Sequence, residues 1–465
     1  MPEPSIYFRD RIATSDDEGH RKWVFARLPK GRHTTRRHWV ALVLILLFVV
    51  TPFIKVAGEP FILLDVINRH FILFGRVFWP QDTYLLGIAM LTFVVFVVLF
   101  TVVYGRLWCG WACPQTIFLE IIFRRIESWI EGSAAKQQVA HQKPKTSGWY
   151  LRRLLKIIVF ASVILVAVNV FLSYFISADS MISAWRTGFT DYHRTMIAMI
   201  VMTAAGTFVY AWFREQACTI LCPYGRLQGT LTDNDTIMVV YDYLRGEPRG
   251  RTKDGDGRCG DCIDCHNCVQ VCPTGIDIRN GTQLECINCT ACIDACDAIM
   301  TRLGKPVGLI RYASEKGISK GTKQHFTGRM AFYTTVLTGL LIFLSVLIIK
   351  RTEVETTILR TPGILFQRNE DGTFSNLYNY KIVNKTRKDI NLSFKLLQPK
   401  GELRLIGNQP SVMNGASAEG VFFILIDSSM VVTHEMKIEI GLFDDGHQVE
   451  LLESSFIGPM DKSKP

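Results

Sequence analysis

The run Cys262-Ile-Asp-Cys-His-Asn-Cys-Val-Gln-Val-Cys-Pro273 has the spacing C-x2-C-x2-C-x3-C-P. Residues 286–296 repeat this spacing, although Asp297 rather than proline follows the last cysteine. Two such runs are typical of a bacterial ferredoxin domain that holds two [4Fe–4S] clusters. Three cysteines of one tight run bind one cluster, and the fourth cysteine of that run binds the other cluster.

The spacing therefore predicts two sets of cluster ligands. The first cluster is assigned to Cys262, Cys265, Cys268 and Cys296. The second cluster is assigned to Cys286, Cys289, Cys292 and Cys272. A zinc ribbon explains this doubled pattern less well, and a c-type haem on the C-x2-C-H sequence that ends at His266 would interrupt the first run.

The residues before the first run are not assigned a metal. A run that began at Cys259 would need a cysteine at Val269, so Cys259 is predicted to be a free thiol rather than a ligand. The segment Asp254-Gly-Asp-Gly-Arg258 lacks the third acidic position and the closing glutamate of a calcium loop. This segment is therefore predicted to be a flexible linker.

Four further cysteines form two C-x3-C-P motifs, Cys109 with Cys113 and Cys218 with Cys222. Cysteines four residues apart share one helix face, and the following proline suits a helix start or a kink. A thiolate near a helix N-terminus has a lowered pKa, which favours metal binding and redox chemistry. Soft thiolates select Cu(I) or iron–sulfur clusters, so a copper site, a dithiol/disulfide relay and a further cluster all stay open. Four inert buried cysteines are the alternative, which the repetition of the motif disfavours.

Five apolar segments are long enough to cross a bilayer, which takes roughly 20 residues. These segments are 39–58, 85–104, 154–176, 195–213 and 330–349. Spans one and two lead to the first C-x3-C-P motif, and spans three and four lead to the second, which indicates an internal duplication. Four methionines lie in or just before the fourth span, where packing is favoured over a copper path because methionine is a common apolar filler. These methionines are Met181, Met196, Met199 and Met202.

Composition and charge indicate how the chain is oriented. Hydrophobic residues make up 48% of the chain, charged residues only 20%, and the net charge is +10. Basic residues cluster before span one and between spans two and three, and Lys and Arg resist translocation. The N-terminus and the ferredoxin domain are therefore predicted to be cytoplasmic, at the inner membrane of a bacterium, and the C-terminal part periplasmic. The basic residues flank apolar spans, so the membrane is the expected partner rather than nucleic acid.

After span five, short alternating runs separated by turn residues predict a β-sandwich. The predicted strands are 379–383, 390–396, 403–406, 421–426 and 436–442. The expected organisation is multi-domain: an α-helical membrane domain, an inserted α+β ferredoxin domain and a β-sandwich. The predicted bounds are a basic tail at 1–38, a four-helix membrane domain at 39–213, the ferredoxin domain at 214–329, a fifth transmembrane helix at 330–350 and the periplasmic domain at 351–465.

Longer motifs add to the cysteine spacings. They are Trp-Cys-Gly-Trp-Ala-Cys-Pro-Gln at 108–115, Cys-Thr-Ile-Leu-Cys-Pro-Tyr-Gly-Arg at 218–226, Cys-Pro-Thr-Gly-Ile-Asp-Ile-Arg at 272–279 and Leu-Glu-Cys-Ile-Asn-Cys-Thr at 284–290. In this order, and over nearly the whole chain, the sequence resembles the cytochrome c oxidase accessory protein family CcoG, also called FixG or RdxA. Membrane ferredoxins of nitrate and nitrous-oxide reduction share parts of the pattern.

The resemblance implies an immunoglobulin-like C-terminal domain and a role in assembling the cbb3-type cytochrome c oxidase. The activity it implies is reduction of Cu(II) to Cu(I) for the copper site of that oxidase. Cys109, Cys113, Cys218 and Cys222 would then contact copper, and the eight cluster cysteines would feed them electrons. The implied partners are the oxidase, its copper-delivery factors and an unidentified cytoplasmic electron donor.

Three functions therefore compete. The first is an enzyme, a cupric reductase at the cytoplasmic face. The second is an electron conduit or quinol-linked ferredoxin that passes electrons to a partner without touching copper. The third is a redox sensor, which would tolerate loss of the C-x3-C-P cysteines but not of the clusters. The donors of electrons and copper, the copper acceptor, quinone binding and the oligomeric state, a homodimer included, stay open.

Overall fold

The computed structural model describes residues 13–459, apart from 16, 17, 19, 57, 66–69, 79–81, 251–258, 322–327, 353, 364, 365, 387, 414, 432 and 445. The predicted linker at 254–258 lies outside the described residues. The chain forms two compact units. The helical unit comprises Met1–Ile54 and Tyr84–Leu344, and the β-rich unit comprises Lys55–Thr83 and Ser345–Pro465.

Helices predominate in the chain up to Ile349, and long strands follow it. The helices are α1 (Arg32–Val50), α2 (Thr83–Tyr104), α3 (Leu107–Trp111), α4 (Pro114–Thr116), α5 (Arg124–Ile130), α6 (Ala134–Gln142), α7 (Ser147–Ile176), α8 (Ala178–Thr187), α9 (Phe189–Phe208), α10 (Pro223–Leu231), α11 (Tyr243–Gly246), α12 (Asn267–Gln270), α13 (Ala291–Arg302), α14 (Glu315–Lys320) and α15 (Gly328–Ile349). The strands are β1 (Lys55–Val56), β2 (Glu59–Pro60), β3 (Ile62–Asp65), β4 (His70–Leu73), β5 (Arg76–Phe78), β6 (Met238–Tyr241), β7 (Ile310–Ala313), β8 (Val354–Arg360), β9 (Gln367–Arg368), β10 (Thr373–Asn384), β11 (Ile390–Gln398), β12 (Glu402–Ile406), β13 (Ser411–Val412), β14 (Ser417–Asp427), β15 (Glu435–Asp444) and β16 (His447–Ile457). Wider π-helical turns occupy Ile117–Phe123, Val209–Phe213 and Ala217–Leu221.

Five helices are long and apolar enough to cross a membrane, which confirms the five predicted spans. They are Arg32–Phe53, Tyr84–Tyr104, Ser147–Ile176, Thr190–Phe213 and Gly328–Ile349. The first and third begin seven residues before their predicted starts at Trp39 and Leu154. Helical hydrogen bonding continues into the basic residues that flank each apolar stretch, so hydropathy alone places these starts too late.

The helices α7, α8 and α9 pack around a core that includes three of the four methionines. Met181, Met196 and Met199 are 4–6% exposed and lie in this core with Phe123 and Phe160. Met202 packs against its edge. This arrangement agrees with the packing interpretation of the methionines, since flexible thioether side chains fill irregular gaps between helices.

The ferredoxin part is built on an antiparallel pair of strands and two short helices. Strand β6 pairs with β7, with Val239 opposite Tyr312. Helices α12 and α13 begin inside the two cysteine runs. Apolar side chains of these elements and of the adjoining loops pack around the cysteines: Val239, Tyr241, Ile278, Ile293, Met300, Leu309 and Ile310.

Helix α1 is capped by a side chain from the second cysteine run. Asp294 accepts hydrogen bonds from the backbone N–H groups of His33 (3.1 Å) and Thr34 (2.7 Å) and from the Thr34 hydroxyl (2.6 Å). A β-carbon on Gly31 would lie 2.3 Å from the Asp294 carboxyl carbon, so only glycine fits at this N-cap. A carboxylate at a helix N-terminus satisfies free N–H groups and favours the helix dipole. The first membrane helix is therefore fixed directly to the ferredoxin part.

The β-rich unit contains two packed antiparallel sheets. One sheet has the order β12-β14-β10-β8, with β9 paired to β10, and the other has the order β13-β11-β15-β16. Their inner faces form one apolar core that includes Tyr378, Phe422 and Phe456. All five predicted strands are present, and the sandwich strands β8, β9, β13 and β16 were not predicted.

Strands β1 and β2 form one small sheet and strands β3, β4 and β5 another, and both sheets belong to the β-rich unit. Asp82 bonds Arg351 and Lys385 within this unit, each at 2.7 Å. Burial opposes ionisation of Asp82, but these two cations outweigh it and hold the pKa of Asp82 below its usual range. A loop between two membrane helices is thus joined to the sandwich by charge, a pairing that local sequence patterns do not show.

The capping contact gives a first prediction. Asp294→Ala should lower the free energy of unfolding by about 2 kcal/mol, because a buried cap with several hydrogen bonds is lost. Thermal unfolding of the purified protein in detergent measures this. Asp294→Asn keeps one acceptor oxygen and should lose less stability. Equal stability of Asp294→Ala and the parent would show that the cap does not hold α1.

Candidate functional site

The ferredoxin thiols line two cavities with apolar walls. The first cavity is lined by Cys262, Cys265, Cys268 and Cys296, with Tyr241, Ile299, Met300 and Leu309 among its other walls. The second is lined by Cys272, Cys286, Cys289 and Cys292, with Cys268 at its edge. Each predicted set of four thiols is therefore brought together. Four soft thiol donors around an apolar cavity fit a [4Fe–4S] cluster.

Burial raises the pKa of several of the ferredoxin thiols. It raises the pKa of Cys268, Cys286 and Cys296 to about 12 and that of Cys289 to about 11. Such thiols are neutral unless a metal replaces the proton, because a buried thiolate lacks solvation. A bound cluster therefore supplies the positive charge that this environment lacks.

The two C-x3-C-P motifs have the same local backbone structure. The Cys113 N–H donates to the Trp108 carbonyl and the Cys222 N–H to the Ala217 carbonyl, each at 2.9 Å and each across one wide turn. Cys113 and Cys222 are then the N-cap residues of helices that begin with Pro114 and Pro223. In both motifs the proline therefore begins a helix, which was one of the two predicted possibilities; the other was a kink.

The correspondence extends upstream of the cysteines. Gly105 (φ 53°) and Arg214 (φ 50°) each lie four residues before the first cysteine of a motif, directly after a membrane helix ends. A positive φ is costly for arginine, so the chain adopts it at Arg214 only because the structure requires it there. Since Gly105 at the matching position has nearly the same φ, the chain follows a similar path before both motifs. This geometry supports the predicted internal duplication.

All four motif thiols are grouped. Cys109 lies within electrostatic range of Cys113 and Cys222, and Cys218 lies within range of the other three. Burial raises the pKa of Cys109 and of Cys218 to about 12. The expectation of a lowered pKa is therefore not met for these two thiols, because each lies well before the proline that begins the next helix and is largely shielded from solvent.

The grouping is looser than a closed single-metal site. Across the part of the chain that the structure describes, no three Cys, His, Asp or Glu side chains converge closely enough to hold one metal ion. The motif thiols therefore form a thiol-rich centre with separate donors. Coordination of one ion by three or four of them would require these side chains to move.

The first motif lies directly against the second cysteine run. A β-carbon on Gly110 would lie 2.3 Å from the Ile287 carbonyl oxygen and 3.0 Å from the Cys289 Cα. Cys109 packs in one apolar cluster with Ile287 and Cys289. The motif spacing predicted only a shared membrane edge, whereas the structure shows the Cys109-Gly110 backbone in contact with a predicted ligand loop.

Two hydrogen-bond connections fix this contact. Trp111 Nε1 donates to the Tyr312 hydroxyl at 3.1 Å, and that hydroxyl donates to the Asn288 carbonyl at 3.1 Å. From the other side, Arg37 Nε in helix α1 donates to the Gly110 carbonyl at 2.9 Å. Each group is supplied by a different element, so the contact depends on the assembled unit.

Arg106 is a site residue that the sequence analysis missed. Its side chain is 7% exposed and donates to the Gly225 carbonyl, which follows the second motif. The guanidinium also lies within electrostatic range of Cys109, Cys222 and Cys286. A buried cation, with the Glu285 carboxylate nearby, is therefore close to thiols of both the motif centre and the second cluster pocket, where it favours added negative charge.

Comparisons with known proteins agree with this architecture. A 4Fe–4S dicluster domain model matches residues 213–315, a 4Fe–4S binding domain model matches residues 86–132, and a model of the Ig-like fold at the C-terminus of FixG matches residues 344–459. Protein RdxA of Cereibacter sphaeroides is 35% identical over 79% of this chain and 80% of RdxA. The chain belongs to the FixG/RdxA family.

Two further relatives have similar coverage. Protein RdxB of Cereibacter sphaeroides is 34% identical over 80% of this chain and 81% of RdxB. The nitrogen fixation protein FixG of Rhizobium meliloti is 29% identical over 83% of this chain and 82% of FixG. The resemblance stated from the motifs is thus confirmed, and the chain is an iron–sulfur electron-transfer protein of the FixG/RdxA family.

In this FixG/RdxA chain, a buried ion cluster joins the two motifs. Glu127 in α5 accepts hydrogen bonds from Arg214 Nη1 (3.0 Å) and Nη2 (2.9 Å) and from Lys156 Nζ (3.1 Å). Burial opposes ionisation of Glu127, but the neighbouring cations outweigh it and hold its pKa at about 2. Arg214, which precedes the second motif, is therefore held by a residue that follows the first.

The ion cluster predicts a pH-dependent stability. An unfolded glutamate has a pKa of roughly 4.3, so the contribution of Glu127 should be present above that pH and lost as the pH falls toward 2. Glu127→Gln leaves Arg214 and Lys156 without their shared anion and should cost about 3–5 kcal/mol at neutral pH. Unfolding midpoints between pH 3 and pH 7 test both statements. An identical pH profile in parent and variant would contradict this account.

The close approach at Gly110 gives another prediction. Gly110→Ala should lower the free energy of unfolding by about 1–3 kcal/mol, because the added methyl overlaps the Ile287 carbonyl. It should also alter the EPR signal of the second cluster, whose ligand loop is displaced. Gly148→Ala is the matched control, since no atom lies within 4 Å of its added β-carbon. Wild-type stability and EPR in Gly110→Ala would show that the contact is loose.

Proposed function

We propose that this chain is a cupric reductase that reduces Cu(II) to Cu(I) at the cytoplasmic membrane face. The proposal includes delivery of that copper to the cbb3-type cytochrome c oxidase. The observation that supports it most is the contact of Cys109-Gly110 with the second cysteine run, which holds a thiol-rich centre next to a cluster pocket. When bound, each [4Fe–4S] cluster supplies one electron at a time, and one Cu(II) needs one electron to become Cu(I).

The residues have distinct proposed roles. Cys262, Cys265, Cys268 and Cys296 hold the first cluster, and Cys286, Cys289, Cys292 and Cys272 hold the second. Cys109, Cys113, Cys218 and Cys222 bind copper, since thiolates stabilise Cu(I) over Cu(II). The raised pKa values of Cys109 and Cys218 mean that copper must displace protons from these two thiols, and the buried Arg106 offsets the negative charge that results.

The proposed membrane arrangement follows from charge. The basic N-terminal tail, the two C-x3-C-P motifs and the ferredoxin domain lie on the cytoplasmic side of the bacterial inner membrane. Five spans then carry the Ig-like domain to the periplasm. The domain bounds predicted from the sequence apply, with residues 55–83 added to the periplasmic part because they belong to the β-rich unit.

A further cluster at the four motif thiols is the second candidate. The 4Fe–4S binding domain match at residues 86–132 includes Cys109 and Cys113, which lie outside the two ferredoxin runs. In that case the chain would be an electron conduit without a copper site. Iron content distinguishes the two: two clusters give about eight irons per chain and three give about twelve.

The decisive test compares the parent with a variant in which Cys109, Cys113, Cys218 and Cys222 are all changed to Ser. Both proteins are reduced with dithionite without oxygen, and Cu(I) is trapped with a specific chelator after Cu(II) is added. The variant should form Cu(I) at least about tenfold more slowly, a barrier increase of about 1.4 kcal/mol. EPR and iron analysis must show unchanged clusters in the variant.

Cys259→Ser is the matched control, because Cys259 is an exposed thiol outside both cluster sets. This control should reduce copper at the parental rate. Equal Cu(I) formation by the parent and the fourfold variant would reject the thiol centre as the copper site and leave the conduit. A loss of about four irons in the fourfold variant would instead identify a third cluster.

A further inference from the structure

The two cysteine runs share one loop conformation but lie in different surroundings. Asp264 (φ 56°) and His266 (φ 57°) are left-handed in the first run, as are Asn288 (φ 54°) and Thr290 (φ 65°) in the second. These residues occupy matching positions, two and four residues after the first cysteine of each run. Because the two loops share the same local structure, any difference in their exposure comes from the residues around them.

The second loop is covered by the helical unit. Asn288 and Thr290 are each 1% exposed. Asn288 Nδ2 donates to the Tyr104 carbonyl at 3.3 Å, and the backbone around Ile287 is in contact with Gly110. A protein partner therefore has no access to this loop.

The first loop is open. The side chains of Asp264 and His266 are 46% and 55% exposed among the described residues. Cys265 between them is partly exposed, whereas Cys289 at the matching position is buried. The first cluster pocket is thus separated from solvent by one short loop.

We propose that residues 263–267, here called the open loop, form the docking surface for a soluble one-electron carrier protein. This proposal rests on the electron-transfer part of the proposed function and does not depend on copper. In the step itself the reduced carrier loses one electron and this chain gains one. Neither bonds nor protons of the open loop change.

The rim of the open loop defines the kind of partner. Arg279 bonds Asp277 at 2.7 Å and lies 2.8 Å from His266 Nδ1, and it also bonds Asp264. Because the Arg279 guanidinium offsets only one of these two carboxylates, the rim offers polar contacts with a small net negative charge. A small polar surface of this kind fits the transient interfaces of electron-transfer pairs, which bury less than about 1,200 Å².

The test uses the full chain with its clusters in lipid nanodiscs, and flavodoxin and a plant-type ferredoxin as the carrier probes. Affinity is measured with the oxidised carriers by thermophoresis, and electron transfer with the reduced carriers by stopped-flow absorbance. The variant combines Asp264→Asn with His266→Asn, since asparagine accepts a left-handed backbone. At least one carrier should bind this variant about tenfold more weakly and reduce it correspondingly more slowly.

Two controls separate docking from damage. Glu315→Gln removes an exposed charge on α14 and should leave affinity and rate unchanged. Titanium(III) citrate, which needs no protein docking, should reduce the double variant at the parental rate. A rate loss with both reductants would show cluster damage, which overturns the docking interpretation.

Other outcomes also overturn the proposal. Unchanged affinity and rate in the double variant would place docking elsewhere. Binding of neither carrier, together with reduction by quinol added to the nanodisc, would make the donor a membrane molecule. Copper is absent from these assays, so a failure of the cupric reductase function would leave these results unchanged.

Discussion

The arrangement of the redox site depends on one close backbone approach, between Gly110 of the first C-x3-C-P motif and the loop 287–289 of the second cysteine run. Any larger side chain at this position would separate the two. Arg37 from the first membrane helix and Trp111 from the motif itself hold the contact through hydrogen bonds. Because interiors are close-packed, this contact sets the distance between the thiol centre and the second cluster pocket.

Buried charges connect segments that are far apart in the sequence. Asp294 caps α1, and Glu127 holds Arg214 before the second motif. Such buried ions gain little net stability, since desolvation offsets their attraction, but removing one partner is costly. In this protein they fix the position of the membrane helices relative to the ferredoxin part. Both parts belong to the helical unit.

Two internal repeats acquire different roles through their surroundings. The C-x3-C-P motifs share their wide turns and helix starts, yet the first of them contacts the second cysteine run at Gly110. The cysteine runs share their left-handed positions, yet only the second is covered. The asymmetry leaves the loop of the first run open at the surface, whereas the loop of the second run is covered and contacts the first C-x3-C-P motif.

The five spans, the five predicted sandwich strands and the family could all be inferred from the sequence alone, because each depends on spacing or periodicity within one segment. The two sets of cluster ligands were predicted in the same way and stay predictions. The sequence did not indicate the sandwich strands β8, β9, β13 and β16, the buried Arg106, or the assignment of Lys55–Thr83 to the β-rich unit. It also expected lowered pKa values where burial raises those of Cys109 and Cys218. Only the tertiary structure decided which repeat contacts which, because burial and close approach arise between segments that no local pattern connects.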